Sequence, residues 1–255
     1  MTGPIATTAL RQTIDAGGVA VVVASHSMTP DTVDLIGSLG FEAVWLEGEH
    51  GNVTWDRIGD LSRAAELWDM AALLRVRTLD PTLIVRGLSL GAHGIVIPQV
   101  RTASEAATAA AATRFAPRGT RGVTRGRRSY GTGADFFQRE NDGAVLVVQL
   151  EDPEALANLE SICAVDGVDV VFIAPNDLAQ AMGLQGQLDH PDVVGAIDRG
   201  IAAIANHGKV AGTLCKPEHV DRFVGLGARL LYVSLDEWIR AGAASYRAAI
   251  DAATP

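Results

Sequence analysis

Ionisable side chains crowd the stretch VWLEGEHGN, residues 44–52, where an apolar run ends abruptly. The stretch carries two carboxylates, Glu47 and Glu49, followed by His50. A histidine in such a position can serve as a general base. Alternatively, a buried strand emerges into water here, and His50 is an ordinary hydrogen-bonded loop histidine. The choice depends on what the other apolar runs place beside this stretch.

Polar residues also interrupt or end three other apolar runs. Arg75 lies inside AALLRVR, where an arginine is almost never fully buried without a partner. Gln149 and Glu151 end AVLVVQLE, and residues two apart point to the same side of a strand. Asp177 follows DVVFIAP, and with Glu151 it forms a carboxylate pair suited to a hard divalent cation. Alternatively, Asp177 caps the next helix and Glu151 is a solvated strand end.

Eight short apolar runs alternate with longer helical segments along the chain. Several are rich in Val, Ile and Leu without polar alternation, which is typical of parallel strands buried on both faces. We therefore predict an α/β fold, a (β/α)8 TIM barrel with an extra N-terminal helix near residues 5–16, whose working face gathers the residues that follow the strands. The alternative is a doubly wound open sheet, but the sequence has neither GxGxxG after the first strand nor GxxxxGK followed by Ser or Thr. The predicted strands are 19–25, 42–48, 71–77, 94–99, 144–151, 169–175, 209–215 and 229–235. The predicted helices are 31–39, 54–67, 81–90, 102–113, 153–162, 191–206, 216–226 and 237–252.

The connection 114–143 breaks this alternation because it is long and rich in arginine and glycine. Long loops in compact domains are usually functional or disordered. Its aromatic residues favour an ordered loop; they are Phe115, Tyr130, Phe136 and Phe137. Its arginines indicate either a solvated loop or subunit contact, or the recruitment of an acidic substrate. The arginines are Arg118, Arg121, Arg125, Arg127 and Arg128.

Composition limits the classes of partner. The 255 residues carry a formal net charge of −9, which argues against non-specific nucleic-acid binding because phosphate contacts need clustered basic residues. Cys163 and Cys215 are too few for a disulfide framework or a cysteine-based zinc site. Neither a signal-peptide pattern nor a membrane-spanning run is present, so we expect a cytoplasmic protein with one domain over residues 1–255 and no membrane partner. The remaining histidines form no paired motif and are interpreted as structural or surface residues; they are His26, His93, His190, His207 and His219.

Taken in order, these residues resemble the HpcH/HpaI aldolase family of class II pyruvate aldolases, which includes 2,4-dihydroxyhept-2-ene-1,7-dioate aldolase. The similarity runs over nearly the whole chain, and the combination of EH, Q-x-E and P-x-DL at these spacings is specific. The matching stretches are GFEAVWLEGEH (40–50), LLRV (73–76), LGAHGIVIPQVRTASEA (90–106), RFAPRGTRGV (114–123), VVQLED (147–152), GVDVVFIAPNDLAQAMG (167–183) and HPDVVGAI (190–197).

The resemblance implies an enzyme that makes or breaks a carbon–carbon bond next to the enolate of a 2-oxo acid, with an aldehyde as the second partner. It also implies a TIM barrel, a homohexamer arranged as a dimer of trimers with exchanged helices, and a divalent metal such as Mg²⁺, Mn²⁺ or Co²⁺. Carried over by position, Glu151 and Asp177 resemble the metal ligands, Arg75 the enolate-stabilising group and His50 the base. The residues that resemble the substrate pocket are Gln149, Ala174, Pro175, Asn176 and Leu214.

Four positions depart from the family pattern. The family usually has Asp where this chain has Glu47, Gly where it has Ala174, and Pro where it has Arg77. In the LDLGA motif it usually has Asp, which raises the basicity of the histidine, where this chain has Ser89. Serine carries no negative charge, so we expect a weaker base at His50. The alternatives are an oxaloacetate-type decarboxylase on the same scaffold and a non-catalytic keto-acid binding protein.

Overall fold

All eight predicted strands form, and each pairs in parallel with its neighbours in chain order. In the computed structural model, which describes residues 8–254, β1 also pairs with β8 and closes the sheet into a barrel. The predicted (β/α)8 barrel is therefore confirmed, and the doubly wound alternative is wrong. The strands are β1 Ala20–Ala24, β2 Ala43–Glu47, β3 Ala71–Arg75, β4 Gly94–Ile97, β5 Val145–Leu150, β6 Val170–Ile173, β7 Val210–Leu214 and β8 Ala228–Ser234.

The helices follow the predicted segments with three differences. The predicted helix 153–162 is interrupted at Asn158, and residues 217–219 form a 3-10 turn before α11. Two helices lie outside the predicted segments: α6 lies inside the long connection, and α9 begins at Pro175, the last residue of the predicted strand 169–175. The N-terminal helix is observed over Ala9–Asp15, while residues 5–7 of its predicted range lie outside the described part of the chain. The helices are α1 Ala9–Asp15, α2 Pro30–Ser38, α3 Trp55–Leu67, α4 Pro81–Leu90, α5 Ala103–Thr113, α6 Phe136–Gly143, α7 Pro153–Ala157, α8 Leu159–Cys163, α9 Pro175–Ala181, α10 Pro191–Asn206, α11 Val220–Gly225 and α12 Leu235–Ala253.

Strand alternation divides the apolar residues into two layers. One fills the barrel and includes Trp45 on β2 and Leu73 on β3, while the other packs the outside of the strands against the helices. Because side chains alternate along a strand, residues two positions later face the same way. Glu47 and Arg75 therefore stand on the interior side at the carboxyl ends of β2 and β3, where they are paired in register. Gln149 takes the equivalent position on β5, two residues after Val147.

The long connection packs as an ordered segment, as its aromatic content predicted. The rings of Phe115, Phe136 and Phe137 contact one another with centroids 5.0–6.2 Å apart. Arg121 lies 4.4 Å above the Phe115 ring and binds buried Glu140 at 3.2 Å. The segment links α5 to β5 and so lies at the amino-terminal end of the barrel, away from the carboxyl ends of the strands.

Two further arginines of this connection are tied to the barrel by ion pairs. Arg127 binds Glu66 of α3 at 2.6 Å, and Arg128 lies 3.6 Å from the same carboxylate while it also binds Glu140, within the connection, at 2.8 Å. A purely solvated role is therefore wrong for Arg121 and Arg128, whose side chains are 3% and 10% exposed. Arg118 fits the solvated interpretation, since it pairs with Asp142 at the surface.

His93 is buried between α3 and β3, which confirms its structural interpretation. Its Nδ1 accepts a hydrogen bond from the Ala72 backbone N–H at 3.0 Å, and its Nε2 lies 3.3 Å from a Glu66 carboxylate oxygen. An Nδ1 that accepts and an Nε2 that donates describe the neutral imidazole. Burial, reinforced by the positive charge of Arg128, lowers the pKa of His93 to about 4.

The C-terminal helix α12 buries none of its residues. Ile239, Tyr246 and Ile250 are exposed by 61%, 73% and 43%, and their spacing places them along one side of the helix. Leu35 on α2 and Leu39 at the C-cap of that helix are exposed to a similar degree. Within residues 8–254, none of the helices is both long and apolar enough to cross a bilayer.

Candidate active site

A cavity of about 270 Å³ opens at the carboxyl ends of the strands. This is the end at which barrel enzymes place their active sites. The cavity brings together every predicted substrate-binding residue, and His50, Arg75 and Asp177 with them. Its lining residues are Trp45, His50, Arg75, Gln149, Phe172, Ala174, Pro175, Asn176, Asp177, Leu214 and Tyr232.

Glu47 anchors Arg75 at the edge of this cavity. The carboxylate accepts from Arg75 Nε at 2.8 Å and lies 2.6 Å from Arg75 Nη2. It also accepts from the Trp45 indole and from the backbone N–H groups of Glu49 and His50. Burial alone would raise the pKa of Glu47, but the Arg75 hydrogen bonds and charge outweigh it and hold that pKa below its usual value. Glu47 therefore stays ionised, fixes the guanidinium and shapes the turn that carries His50.

Glu49 is a site residue that sequence reasoning did not select. Its carboxylate lies 3.2 Å from Arg75 Nη1 and 3.8 Å from His50 Nε2. Burial raises the pKa of Glu49, and the negative charges of Glu47 and Asp177 add to the effect, against Arg75 and His50. Its position two residues after Glu47 in the same acidic stretch was the available signal. The stretch of residues 44–52 thus forms one wall of the cavity.

Two further carboxylates follow β5 and β6: Asp177 lines the cavity, and Glu151 lies close enough to be influenced by its charge. Burial, together with the charges of Asp177 and Glu49, raises the pKa of Glu151 to about 7. Asp177 lies in the first turn of α9, whose N-cap is Ala174, so the alternative that Asp177 is the N-cap is wrong. Glu151 is 8% exposed, so the solvated strand end is wrong too.

These carboxylates fit a hard divalent cation. Mg²⁺ is held in proteins by one or two carboxylates, with water and substrate oxygens completing the shell. Within the described residues there is no group of three or more His, Cys, Asp or Glu arranged to hold a metal ion. The two-carboxylate set matches the sparse type of site, and the charge of Asp177 acts on buried Glu151, which places the two carboxylates near one another. Glu151 and Asp177 could therefore hold such an ion.

The floor of the cavity combines one amide with three aromatic rings. Gln149 is buried, and its Oε1 lies 3.5 Å from Arg75 Nη1. Trp45 packs edge-on against Tyr232 at 5.2 Å between centroids and tilts against Phe172 at 5.6 Å. Tyr232 was not selected from the sequence, because a tyrosine in RLLYVSL is equally typical of a buried strand. The arrangement can bind a small polar molecule between a cation, an amide and an apolar wall.

Ser89 lies at the other end of the barrel. It is the penultimate residue of α4, which returns the chain from the carboxyl ends of the strands to their amino-terminal ends. Its hydroxyl donates to the Val85 carbonyl at 2.7 Å. Within the described chain, Ser89 is therefore not placed beside His50, and the expected pairing of the two within one chain is corrected. His50 is 70% exposed and its nearest carboxylate is Glu49.

Comparison with known proteins places the chain in a family. Residues 21–237 match the family model of HpcH/HpaI aldolase/citrate lyase. The 5-keto-4-deoxy-D-glucarate aldolase of Salmonella arizonae is 36% identical over 211 residues, which covers 82% of each chain.

Two crystal structures superpose on nearly the whole chain. An HpcH/HpaI aldolase from Desulfitobacterium hafniense is 26% identical, with a TM-score of 0.89 over 95% of this chain and 96% of that one. A family protein from Burkholderia cenocepacia is 27% identical, with a TM-score of 0.88 over 97% of this chain and 100% of that one. The chain belongs to the HpcH/HpaI aldolase/citrate lyase family and is a carbon–carbon lyase of the class II aldolase type.

Proposed function

We propose that this enzyme cleaves and forms a carbon–carbon bond next to the enolate of a pyruvate-type 2-oxo acid, with an aldehyde as the second partner. One observation carries the proposal: Arg75, Gln149 and Asp177 line one cavity at the catalytic end of the barrel. An enolate carries negative charge on oxygen, and fixed positive charge beside that oxygen lowers the energy of the transition state.

Glu151 and Asp177 would hold the divalent cation, which we propose to be Mg²⁺, Mn²⁺ or Co²⁺. When bound, the cation supplies a Lewis acid that polarises the carbonyl of the 2-oxo acid and favours the enolate. Arg75 adds a positive charge whose direction is set before substrate arrives, because Glu47 holds its guanidinium group at two nitrogens. Gln149 offers its side-chain amide to the substrate oxygens from a buried position.

His50 is the proposed base. It stands at the rim of the cavity on the turn that Glu47 stabilises, and its exposed ring can exchange protons with water and with a bound ligand. In the cleavage direction it removes the proton from the hydroxyl group, and the electrons of the broken carbon–carbon bond pass to the enolate. Ala174, Pro175, Asn176 and Leu214 then bound the space in which the 2-oxo acid lies.

The substrate that we propose is 5-keto-4-deoxy-D-glucarate, on which the Salmonella relatives act by name. Its cleavage gives pyruvate and an aldehyde that carries a carboxylate. Pyruvate added to the enzyme in D₂O, with and without Mn²⁺, should exchange its methyl protons only when the metal is present. An oxaloacetate assay separates decarboxylation from aldol cleavage, and absence of any exchange would leave a binding protein.

Variants of the two carboxylates test the metal assignment directly. Glu151→Gln and Asp177→Asn should each weaken Mn²⁺ binding, measured by calorimetry, and abolish pyruvate exchange. Asp60→Asn, a change in an exposed surface ion pair, is the matched control and should bind Mn²⁺ as the wild type does. Unchanged Mn²⁺ affinity in both site variants contradicts the assignment of Glu151 and Asp177.

We also propose that the chain works as one barrel domain in a homohexamer, a dimer of trimers. The exposed apolar side of α12 and the exposed leucines of α2 support contacts between copies, because apolar surface of this kind marks interaction sites. Ile239→Glu should shift the mass measured by light scattering toward the single chain, and an unchanged mass would contradict the role of α12. The cytoplasmic location stays a prediction.

A further inference from the structure

A second and larger cavity adjoins the site at the carboxyl ends of β7 and β8. Its volume is about 620 Å³, and Asn176, Leu214 and Tyr232 line both cavities. It continues along residues 215–218 to the first turns of α12, where Trp238 and Ala241 form part of its wall. A volume of this size accommodates a ligand larger than a three-carbon acid. A molecule in the site cavity can therefore extend past Tyr232 into the larger one.

Tyr232 lies at this junction, and its hydroxyl group makes no hydrogen bond with the described residues. The ring packs edge-on against Trp45 at 5.2 Å and against Phe172 at 6.3 Å between centroids. Tyr232 is half-buried, and its hydroxyl is not among the buried side-chain atoms without a partner, so it reaches open space where the residue lines the two cavities. Among residues 8–254, none hydrogen-bonds the Tyr232 hydroxyl, and the influences on it are burial and the charges of nearby groups. The ring is fixed, and its donor is available to a ligand.

The charges around Tyr232 keep this donor protonated. Burial raises the pKa of Tyr232 to about 12, and Glu47 and Asp236 act in the same direction, while Arg75 opposes them. At neutral pH the phenol is therefore uncharged and donates a hydrogen bond without releasing its proton. Such a group stabilises an oxygen on which negative charge grows.

We propose that Tyr232 donates a hydrogen bond to the carbonyl oxygen of the acceptor aldehyde, whose chain extends into the larger cavity. The inference rests on the aldol reaction proposed above and assigns the place of its second substrate. In the direction of addition, the electron pair of the enolate double bond forms the new carbon–carbon bond, and the keto group of the acid re-forms. The aldehyde C=O π pair moves to its oxygen, which takes a proton from protonated His50. Tyr232 keeps its own proton throughout.

The test compares two reactions of the same variant. Tyr232→Phe keeps the ring and its packing but removes the donor, and pyruvate with glycolaldehyde serves as the probe. The kcat/KM for glycolaldehyde should fall about 10- to 100-fold, the loss typical of one hydrogen bond to a charged group. Proton exchange into pyruvate needs no aldehyde and should fall far less. Tyr130→Phe, which removes an exposed phenol in the connection at the amino-terminal end of the barrel, is the control and should add glycolaldehyde at the wild-type rate.

The possible results separate this inference from the proposed function. Wild-type addition of glycolaldehyde by Tyr232→Phe overturns the role of Tyr232 while leaving the aldolase proposal intact. Equal losses in proton exchange and in aldehyde addition also overturn the role of Tyr232, because they indicate a general disturbance of the site. Absence of pyruvate exchange in the wild-type enzyme overturns the proposed function and this inference with it. A large loss confined to addition, with an unchanged melting temperature, supports the assignment.

Discussion

Replacing Glu47 by Gln tests whether the buried carboxylate is what orders this wall of the site. The side chains of Glu47 and Arg75 are 9% and 14% exposed. Removing one partner of a buried ion pair typically costs about 3–5 kcal/mol, because the other charge is left without compensation. Arg75 keeps Glu49 at 3.2 Å, and glutamine retains one acceptor oxygen for the turn. We therefore expect the lower end, about 3 kcal/mol.

Thermal unfolding followed by circular dichroism measures this loss. For a chain of this size, about 3 kcal/mol corresponds to a fall in Tm of about 6–12 °C. Asp60→Asn breaks the exposed Arg63–Asp60 pair and should change stability by less than about 1 kcal/mol. Glu47→Asp keeps the charge on a shorter side chain and should fall between the two. A Glu47→Gln protein that melts together with Asp60→Asn would refute the claim that Glu47 compensates Arg75.

Two further predictions concern the amino-terminal end of the barrel. His93 is held neutral in the folded protein, with its pKa at about 4 against an ordinary 6.5. The unfolded chain therefore takes up the proton first as the pH falls. The contribution of His93 to stability is complete above about pH 6.5 and is lost as the pH falls toward 4. Glu151, whose pKa is raised, changes stability in the opposite direction over this range, so the contribution of His93 is measured as the difference in stability between the wild type and His93→Asn, which keeps an acceptor for the Ala72 N–H. In urea unfolding that difference should be about 2 kcal/mol smaller at about pH 5 than at about pH 7.5, and a difference that stays constant with pH contradicts the assignment. Arg121→Met should lower stability by about 2–3 kcal/mol because it removes one of the two guanidinium partners of buried Glu140, while Arg118→Met at the surface should change it by less than about 1 kcal/mol. Neither arginine substitution should alter the ratio of the KM for acidic aldehydes to the KM for neutral aldehydes. A rise in that ratio would support the alternative that the connection 114–143 recruits an acidic substrate.

The barrel could be predicted because each local signal agrees with the global fold. Runs such as VLVVQL are apolar at every position, which suits only strands covered on both sides. The predicted helices 81–90 and 153–162 each begin with a proline that follows an aspartate, a pattern that favours a helix start, and the side chains of Asp80 and Asp152 cap α4 and α7. Gly91 ends α4 with φ of 119°, a conformation that favours glycine. Where such signals were absent, as at Asn158 and within α6, the helix bounds were missed.

The site was only partly predictable because its members meet through tertiary structure. The strand-end rule located Arg75 and Asp177, since it depends on strand direction alone. The contact of Glu49 with Arg75 depends on how the turn after β2 folds, and the availability of Tyr232 depends on what surrounds its hydroxyl group. The expected pairing of Ser89 with His50 was inferred from a motif match. Such a match carries no information on which end of the barrel a helix residue faces.

Part of the wall of the larger cavity belongs to α12, a helix whose outer side the described residues leave exposed. Trp238 and Ala241 line the cavity, yet α12 buries none of its residues. The first turn of α12 is held by this chain, since Trp238 stacks on Phe41 and Asp236 accepts from the His26 backbone N–H, while Ile239 and Ile250 stay exposed on the same helix. A partner that packs against Ile239 and Ile250 would therefore act on the helix that carries the wall. Binding in the cavity and binding to α12 are then linked equilibria, and each changes the affinity of the other by the same factor. In the proposed homohexamer, an acceptor that fits the assembled cavity would draw copies of the chain together, and dilution of the protein would weaken its hold on the acceptor.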